Sequence, residues 1–444
     1  MRLPNLLATR LGRRAAFFLL YVTEGLPLGF TATAIATQMR RQGVGPAEIG
    51  VFVGTLYLPW AWKWLIGPFV DVIYSDRLGR RRGWIMAMQV LMTLTLLAAL
   101  PVNFATDVKL FTLVVMIANA FGATQDVAID ALACGVLEEQ ERGTVNGLMF
   151  AGAYVGQAIG GAGVLFLAEY VSFNTTFFMV AACILSVTVF VVLPMREPKS
   201  RARPAAADSP LRAAGDEIRT YCRDALKAFF GTRASIAALL FAFLPAGAYS
   251  LGLALQSNLA VELGLSDARI GLLALISAII SAAGCVVGGF LSDRFGRRRT
   301  LALYLTGTAI PTAALAWVMY RYGWIMSIDP RMPNRPIPAG TILFAFWAAN
   351  IVYAIFQGLM TGTRTALFMD ICPARTAATQ FTAYMAVLNL VIWYSALWQG
   401  RVIEAWGYPV TLTLDALVGL VCLLVLPLVK KKDVPAAAPG NGTA

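Results

Sequence analysis

Long uncharged runs are the feature that most constrains this chain. Segments such as AMQVLMTLTLLAAL and TTFFMVAACILSVTVFVVL contain no charged residue. A helix needs about 20 mainly apolar residues to cross a bilayer core, and its backbone groups bond within the helix. The strict polar–apolar alternation of a membrane β-barrel is absent from these runs. The sequence therefore predicts an all-α membrane protein, and its mean hydropathy of +0.69 agrees.

The apolar runs predict about twelve spans, placed by their length and by the polar residues between them. In the first half they cover 15–37, 47–70, 84–104, 109–131, 143–168 and 172–194. In the second half they cover 235–259, 268–291, 300–320, 339–368, 377–402 and 408–429. The predicted units are a six-helix half at 1–194, a basic linker at 195–233, a six-helix half at 234–430 and a disordered tail at 431–444.

Cations gather in alternate loops, which fixes the expected orientation. The basic segments before the odd-numbered spans and at the chain end are Arg13–Arg14, Arg80–Arg82, Arg142, the linker, Arg297–Arg299, Arg375 and Lys430–Lys432. The other loops carry fewer cations, although 321–338 contains Arg321, Arg331 and Arg335. The positive-inside rule then predicts cytoplasmic termini in a bacterial inner membrane, and this clustering accounts for the net charge of +12 without a nucleic-acid partner.

Composition excludes several kinds of chemistry. The chain has no histidine, which removes histidine-based catalysis, metal ligation and proton relays. Its six cysteines are scattered and are expected to pack rather than to form disulfides or hold a metal. The sequence also has no Gly-rich phosphate loop followed by Lys-Ser or Lys-Thr. We therefore expect no cofactor, no metal and no ATP drive. Glu24 and Pro27 argue for an uncleaved first helix rather than a signal peptide.

One charged phrase occurs twice. GPFVDVIYSDRLGRRRG at 67–83 returns in a shorter form as GGFLSDRFGRRRT at 288–300. Gly289 and Asp293 lie 222 positions after Gly67 and Asp71, half of the 444-residue chain, which indicates a duplicated architecture.

The repeat predicts a gate between the second and third spans of each half. The glycines allow helices to approach closely, and the carboxylates and arginines form a latch that breaks in another conformation. The alternative is that the arginines fix topology alone. The candidate gating residues are Gly67, Asp71, Arg80, Arg142, Gly289, Asp293 and Arg297.

The phrase resembles the loop signature of the major facilitator superfamily, and other stretches resemble its AmpG-like muropeptide permeases and acetyl-coenzyme A transporters. These stretches are EGLPLGF (24–30), KWLIGPFVD (63–71), GRRRGW (79–84), ATQDVAIDAL (123–132), ERGTVNG (141–147) and ATQFTAYMAV (378–387). The second copy, LSDRFGRRRT, is similar instead to the general superfamily form. The resemblance implies two six-helix halves that rock about a central site.

Charged and polar residues inside the predicted spans are candidate functional residues because they are costly there, by about 2.5–3.5 kcal/mol for a charge at the helix centre. The candidate proton carriers are Glu24, Asp126 and Asp130. The candidate substrate-binding residues are Lys63, Gln157, Asn350, Gln357, Arg364 and Tyr384. Two alternatives remain open: Lys63 pairs with Asp126 or Asp130 only to join helices, and Tyr384 belongs to the core.

The expected function is secondary active transport coupled to protons, and the resemblance implies a large polar or anionic solute, most of all a muropeptide-type cell-wall fragment. A siderophore or an acyl-coenzyme A is the alternative solute, and a membrane sensor without transport is the alternative function. An enzyme is not expected, because no convergent nucleophile and base are found. The expected partners are the solute, the lipid bilayer and protons, and a monomer is expected.

Overall fold

The computed structural model describes residues 4–73, 75, 77–197, 233–371 and 377–429, together with scattered positions between 212 and 230. Within these residues the backbone is helical apart from turns, loops and one isolated β-bridge between Ser75 and Gly79. The predicted linker at 195–233 is described only in part, and the predicted tail at 431–444 lies wholly outside the described residues. We call residues 4–197 the first half and residues 233–429 the second half.

The helices of the first half follow the predicted spans. They are α1 (Arg10–Arg41), α2 (Pro46–Trp62), α3 (Arg82–Ala98), α4 (Val108–Val136), α5 (Glu139–Ala158) and α6 (Phe173–Val192). The span predicted at 47–70 is interrupted: α2 ends at Trp62, a 3-10 turn covers Lys63–Leu65, and a short helix, Gly67–Val72, follows. α5 continues through a π-helical turn at Ile159–Gly163 to Leu167.

The helices of the second half include one broken span. They are α7 (Arg233–Phe243), α8 (Ala254–Glu262), α9 (Asp267–Phe295), α10 (Arg297–Arg321), α11 (Gly340–Ile371) and α12 (Ala377–Val425). α12 bends sharply at Gly407, so the predicted spans 377–402 and 408–429 are its two arms. Among the described residues, eight helices are long and apolar enough to cross a membrane. The count of about twelve spans stays a prediction.

The span predicted as continuous over 235–259 is wrong at its centre. α7 ends at Phe243 and α8 begins at Ala254. The buried carboxylate of Asp415 accepts the backbone N–H groups of Tyr249 at 2.8 Å and Ser250 at 2.9 Å. These two donors lie outside both helices, and a buried backbone donor without a partner is costly. The contacts from α12 therefore stabilise the break, and a proline and a glycine at positions 245 and 247 favour it locally, since that glycine has a φ of 80°.

Local signals account for several helix starts. The Thr9 hydroxyl accepts the backbone N–H of Gly12 at 3.1 Å and caps α1. Ser266 does the same for α9, accepting from the N–H of Arg269 at 3.3 Å. Pro46 occupies the first turn of α2, where its missing N–H has no cost. These caps satisfy donors that the first helical turn leaves open.

Three glycines spaced four residues apart on α5, at positions 152, 156 and 160, pack against α1. A methyl group on Gly156 would lie 2.3 Å from the carbonyl oxygen of Val22, and one on Gly160 would lie 2.0 Å from that of Leu26. From the other side, a methyl group on Gly25 would lie 1.9 Å from the carbonyl oxygen of Ala153. The two backbones are therefore as close as glycine permits, which fixes α1 at the side of the central space.

The two halves meet through α2 with α12 and α5 with α9. Gly50 of α2 faces the carbonyl oxygen of Ala396, and Gly271 of α9 faces that of Ala162. We call the end of the molecule that carries Gly79–Arg82 and Gly296–Arg299 the basic end. The end that carries Arg40–Val44, Glu262–Asp267 and the 323–339 loop is called the opposite end. Both close approaches lie toward the opposite end, because α2 and α9 start there and both glycines lie in the first turns of these helices.

Candidate functional site

Lys63 and Asp126 form an ion pair in the first half. Lys63 Nζ lies 2.5 Å from Asp126 Oδ2, and the two side chains are 17% and 3% exposed. Nζ also lies 5.5 Å from the ring centroid of Trp60, a cation–π distance. The interruption of α2 at Lys63 turns the lysine toward α4. Of the two pairs considered from the sequence, the structure forms the one with Asp126.

Two more carboxylates surround this ion pair. Glu24 of α1 interacts electrostatically with Asp126, Lys63 and Asp130, and its Oε2 is buried without a hydrogen-bond partner. The hydroxyl of Tyr21 donates to Asp130 Oδ1 at 2.7 Å. Asp126 and Asp130 are four residues apart on α4, so they share one face. We call Glu24, Lys63, Asp126 and Asp130 the acidic cluster; it holds more carboxylates than cations.

The second half places a buried arginine at the break between α7 and α8. Arg364 of α11 is 7% exposed and donates from Nη1 to the hydroxyl of Tyr249 at 3.0 Å. Its Nε is buried and has no hydrogen-bond partner. Tyr249 is held by the Asp415 contact to its backbone N–H. The break therefore positions the tyrosine that contacts the arginine.

The other polar candidates occupy different positions around the centre. Asn350 accepts from Gln256 Nε2 at 2.8 Å and donates to the carbonyl of Phe346. Gln357 Oε1 is buried without a partner. Gln157 lines a cavity of about 120 Å³ between the halves, together with Gln256. This cavity joins first-half and second-half residues, so it belongs to the central space.

Tyr384 lies in the core of the second half. Its side chain is fully buried, and its ring stacks on Phe368 with centroids 4.9 Å apart. Its hydroxyl points to the carbonyl oxygen of Ser235 at 3.5 Å. In this conformation no part of the Tyr384 side chain is open to a solute. The structure therefore favours the alternative given for this residue, that it belongs to the core.

The two copies of the charged phrase share their backbone turn. Gly79 and Gly296 have φ angles of 92° and 90°, in the left-handed region that side chains rarely adopt. In the second copy Arg297 Nη2 lies 3.0 Å from Asp293 Oδ1, and its Nε pairs with Asp370. Arg80 has contacts of its own. The side chains of Asp71 and Arg142 lie outside the described residues.

The close approach expected at Gly67 and Gly289 is wrong for this conformation. A methyl group at either position would meet no atom within 4 Å in the described part of the chain. The adjacent Gly288 makes the close approach instead: a methyl group there would lie 2.3 Å from the carbonyl oxygen of Leu359. One residue along a helix turns the side chain by about 100°, so the two glycines face different surroundings.

Sequence reasoning missed a polar junction at the opposite end. Arg40 of α1 donates to Glu262 of α8 from Nε at 3.0 Å and from Nη2 at 2.7 Å. Glu262 also accepts from Ser327 Oγ, from the N–H of Ile328 and from the hydroxyl of Tyr408. We call these five residues the junction. Glu262 lies within an apolar stretch, NLAVELGL, and a lone carboxylate in that position was the available signal.

The 323–339 loop adds to the closure of this end. A methyl group on Gly43 of the first half would lie 2.2 Å from Arg331 Cζ. Arg331 in turn donates to Asp329, and this hydrogen bond lowers the pKa of the Asp329 carboxyl to about 2. Beside the junction, Arg41 Nε and Gln38 Nε2 bind Asp267 at 2.5 and 2.6 Å. Contacts between the halves are thus dense at the opposite end.

The sequence model of the Major Facilitator Superfamily matches residues 15–257 and 240–443. The chain belongs to the Major Facilitator Superfamily. Among curated relatives, the anhydromuropeptide permease of Escherichia coli strain K12 is 25% identical over 431 residues, covering 93% of this chain and 79% of that protein.

Solved structures of this superfamily share the fold. A D-xylose-proton symporter superposes with a TM-score of 0.68 at 15% identity, covering 94% of this chain and 98% of that chain. A POT family transporter in complex with a thioalcohol-conjugated peptide gives a TM-score of 0.68 at 11% identity, covering 94% and 95% of the two chains. This superfamily member is therefore a multi-pass membrane protein and a secondary transporter of a small-molecule substrate, not an enzyme.

Proposed function

We propose that this transporter couples the movement of a muropeptide-type cell-wall fragment to protons, as a monomer in a bacterial inner membrane with both termini in the cytoplasm. The similarity to the anhydromuropeptide permease supports the solute class, since it extends over 93% of this chain. The alternation of basic loops supports the orientation. The central polar residues of both halves support a solute path between them.

The acidic cluster is the observation that carries proton coupling. One lysine faces the carboxylates of Glu24, Asp126 and Asp130. Leaving surplus negative charge inside a membrane protein is expensive, and a bound proton removes it. Protonation of the cluster therefore fits one state of the transport cycle, and deprotonation fits another in which water reaches it.

Glu24 is the proton carrier in this proposal. Asp126 is held by Lys63 at 2.5 Å, and Asp130 accepts the hydroxyl of Tyr21. Glu24 has a carboxylate oxygen with no hydrogen-bond partner. Among the three carboxylates, its charge has the weakest direct compensation. Glu24 also lies on α1, which packs on α5 and reaches Arg40 at the junction, so a charge change there acts on a helix that both closes and lines the path.

The closed opposite end indicates the direction of release. With the junction formed, a solute at the centre leaves toward the basic end, which the positive-inside rule assigns to the cytoplasm. In this proposal the present conformation is the inward-facing one, and breaking the junction opens the periplasmic side. Import of a fragment released outside the membrane follows from that order of steps.

Transport by Glu24→Gln in proteoliposomes tests the proposal. We expect the variant to keep counterflow of an anhydromuramyl tripeptide and to lose its uphill accumulation under an imposed pH gradient. Exchange needs binding and reorientation alone, whereas accumulation needs a proton on the carrier. Glu48→Gln is the matched control, because Glu48 is exposed at the start of α2, and we expect it to behave as wild type.

Two outcomes contradict the proposal in different parts. Accumulation by Glu24→Gln equal to that of wild type excludes Glu24 as the coupling residue, and Asp126→Asn is then the next variant. Absence of tripeptide counterflow in the wild-type protein excludes the solute class.

A further inference from the structure

Arg364 is a buried cation without a counter-ion. Its guanidinium is 7% exposed, its Nη1 contacts the neutral hydroxyl of Tyr249, and its Nε has no partner. No carboxylate of the described residues forms an ion pair with it. A buried charge left unpaired is strongly destabilising, so this arrangement favours a ligand that brings the missing negative charge.

The carboxylates of the second half that lie near the break are already satisfied. Asp415 accepts the N–H groups of Tyr249 and Ser250 and the side-chain amide of Gln399. Glu262 is bound in the junction. Neither carboxylate can turn to Arg364 without giving up these hydrogen bonds, so the counter-ion must come from outside the half.

Lys63, the other candidate for anion binding, is in the opposite situation. Its ammonium is paired with Asp126 and lies among the carboxylates of the acidic cluster. An anionic group brought to Lys63 would add negative charge where it is already in surplus. The two buried cations therefore differ: Lys63 is paired within the acidic cluster, and Arg364 lacks a counter-ion.

We infer that Arg364 binds one carboxylate group of the transported solute, on the guanidinium edge that carries the unpartnered Nε. This inference rests on the proposed function, because it assumes a solute between the halves. The edge formed by Nε and the second terminal nitrogen matches a carboxylate bidentately. Tyr249 occupies Nη1 and keeps the guanidinium in that orientation.

The same charge balance selects against solutes with several phosphates. One guanidinium compensates one negative charge, and the acidic cluster repels the remainder. An acyl-coenzyme A carries several phosphate charges, and Arg364 supplies one guanidinium to compensate them. The solute class that fits is a hydroxyl- and amide-rich molecule whose carboxylates are spread apart, so that one of them is presented to Arg364 at a time.

Arg364 also lies where a ligand can touch both halves. Tyr154 of α5 interacts electrostatically with Arg364, and its hydroxyl is 3.8 Å from Cys285 Sγ of α9. A carboxylate on Arg364 is therefore placed beside a first-half residue, and its binding is sensitive to how the halves are arranged.

Binding of three probes to the purified full-length protein tests the inference. The probes are an anhydromuramyl tripeptide, the same compound with every carboxyl converted to carboxamide, and acetyl-coenzyme A. Amidation removes the negative charge that Arg364 would bind. We therefore expect the amidated compound to bind to the wild-type protein at least about 10-fold more weakly than the acid. Acetyl-coenzyme A should bind more weakly than the tripeptide acid.

Variants locate the carboxylate contact. In Arg364→Gln we expect the acid and the amidated compound to bind equally, within about 2-fold, because the charge that distinguishes them is gone. Arg269→Gln is the matched control, since Arg269 is exposed at the opposite end, and it should keep the wild-type ratio. The ratio is the readout, so a general loss of affinity in a variant does not imitate the effect.

The outcomes separate this inference from the proposed function. Equal binding of acid and amide to wild type, or a wild-type ratio that persists in Arg364→Gln, overturns the inference while transport of the tripeptide stands. Tighter binding of acetyl-coenzyme A overturns the substrate class. Absence of tripeptide binding and counterflow in wild type overturns the proposed function itself. The wild-type ratio alone decides the first point if Arg364→Gln does not fold.

Discussion

Arg40 and Glu262 join the two halves through a fully buried ion pair, 2.7 Å between Nη2 and Oε1. The side chains are 4% and 0% exposed, and the carboxylate also accepts hydrogen bonds from the 323–339 loop and from the second arm of α12, both in its own half. Opening the opposite end requires the contacts of Arg40 with Glu262, Ser327 and Ile328 to break, because these cross between the halves. The pair is therefore specific to one conformation.

Neutralising one partner of this pair should shift the conformational balance. Arg40→Gln leaves the Glu262 carboxylate buried without its cation, which costs the closed conformation about 3–5 kcal/mol. Thr33 lines the central cavity. We expect a cysteine that replaces it to be labelled faster in Arg40→Gln than in the otherwise wild-type protein, by a bulky thiol reagent added at the opposite end.

Two variants control that experiment. Arg321→Gln removes an exposed cation at the end of α10 that takes no part in the contacts described for this end, and it should change labelling little, by the equivalent of about 0.5 kcal/mol at most. The double variant Arg40→Gln, Glu262→Gln should be less affected than Arg40→Gln alone, since no buried charge is left. Equal labelling of Arg40→Gln and Arg321→Gln would show that the junction does not hold the end closed.

Two adjacent glycines on α9 should respond differently to alanine. A methyl group on Gly288 meets the Leu359 carbonyl oxygen at 2.3 Å, whereas one on Gly289 meets no atom within 4 Å. We expect Gly288→Ala to destabilise the protein by about 1–3 kcal/mol through overpacking and Gly289→Ala to change its stability by about 0.5 kcal/mol or less. Thermal melting of the two variants in detergent measures the difference, and the reverse order would contradict the packing described for α9 and α11.

Asp293→Asn should alter conformational balance with little loss of stability. Asp293 is 65% exposed and Arg297 keeps its second partner, Asp370, so the stability cost should be within about 1 kcal/mol. Transport and accessibility from the basic end, measured together for Asp293→Asn and Asp71→Asn, test whether the repeated phrase is a latch. Wild-type behaviour of both variants in both assays would leave the phrase as a topology anchor alone.

The orientation can be tested by single-cysteine labelling after removal of the six native cysteines. A cysteine replacing Ser200 in the linker should react only from the cytoplasm. A cysteine replacing Asn334, exposed in the 323–339 loop, should react only from the periplasm. Periplasmic labelling at position 200 would reverse the predicted topology.

Much of the fold follows from local pattern. Apolar run length located the helices, and the spacing of Gly152, Gly156 and Gly160 indicated the face of α5 that packs on α1. The break between α7 and α8 had a local signal, Pro245 followed by Gly247, which a prediction from run length alone does not use. Its stabilising group, Asp415, was not predictable, because it lies 166 residues from Tyr249 in the sequence and long-range hydrogen bonds leave no periodic signal within the broken segment.

The candidate site was predictable in part because buried charge is rare. That rule identified Glu24, Lys63, Asp126 and Arg364, and the structure brings the first three together. The same rule applied to Asp415, the sole charged residue in the predicted span 408–429, would have found it as well. Composition could not reveal that Lys63 is paired while Arg364 is not, since pairing depends on how the helices pack.

The π-helical turns in α1 (Phe30–Ile35) and α5 (Ile159–Gly163) have a consequence for sequence length. A π turn accommodates one residue more than an α turn. Deleting a single residue from Phe30–Ile35 would restore α geometry and leave the two flanking parts of the helix on nearly the same faces. A deletion elsewhere between Glu24 and Arg40 would instead rotate one part of the helix against the other by about 100°, so that either Glu24 would turn away from Lys63 or Arg40 from Glu262. Natural selection on this transporter is therefore expected to accept a one-residue gap within the π turn more readily than in the rest of α1.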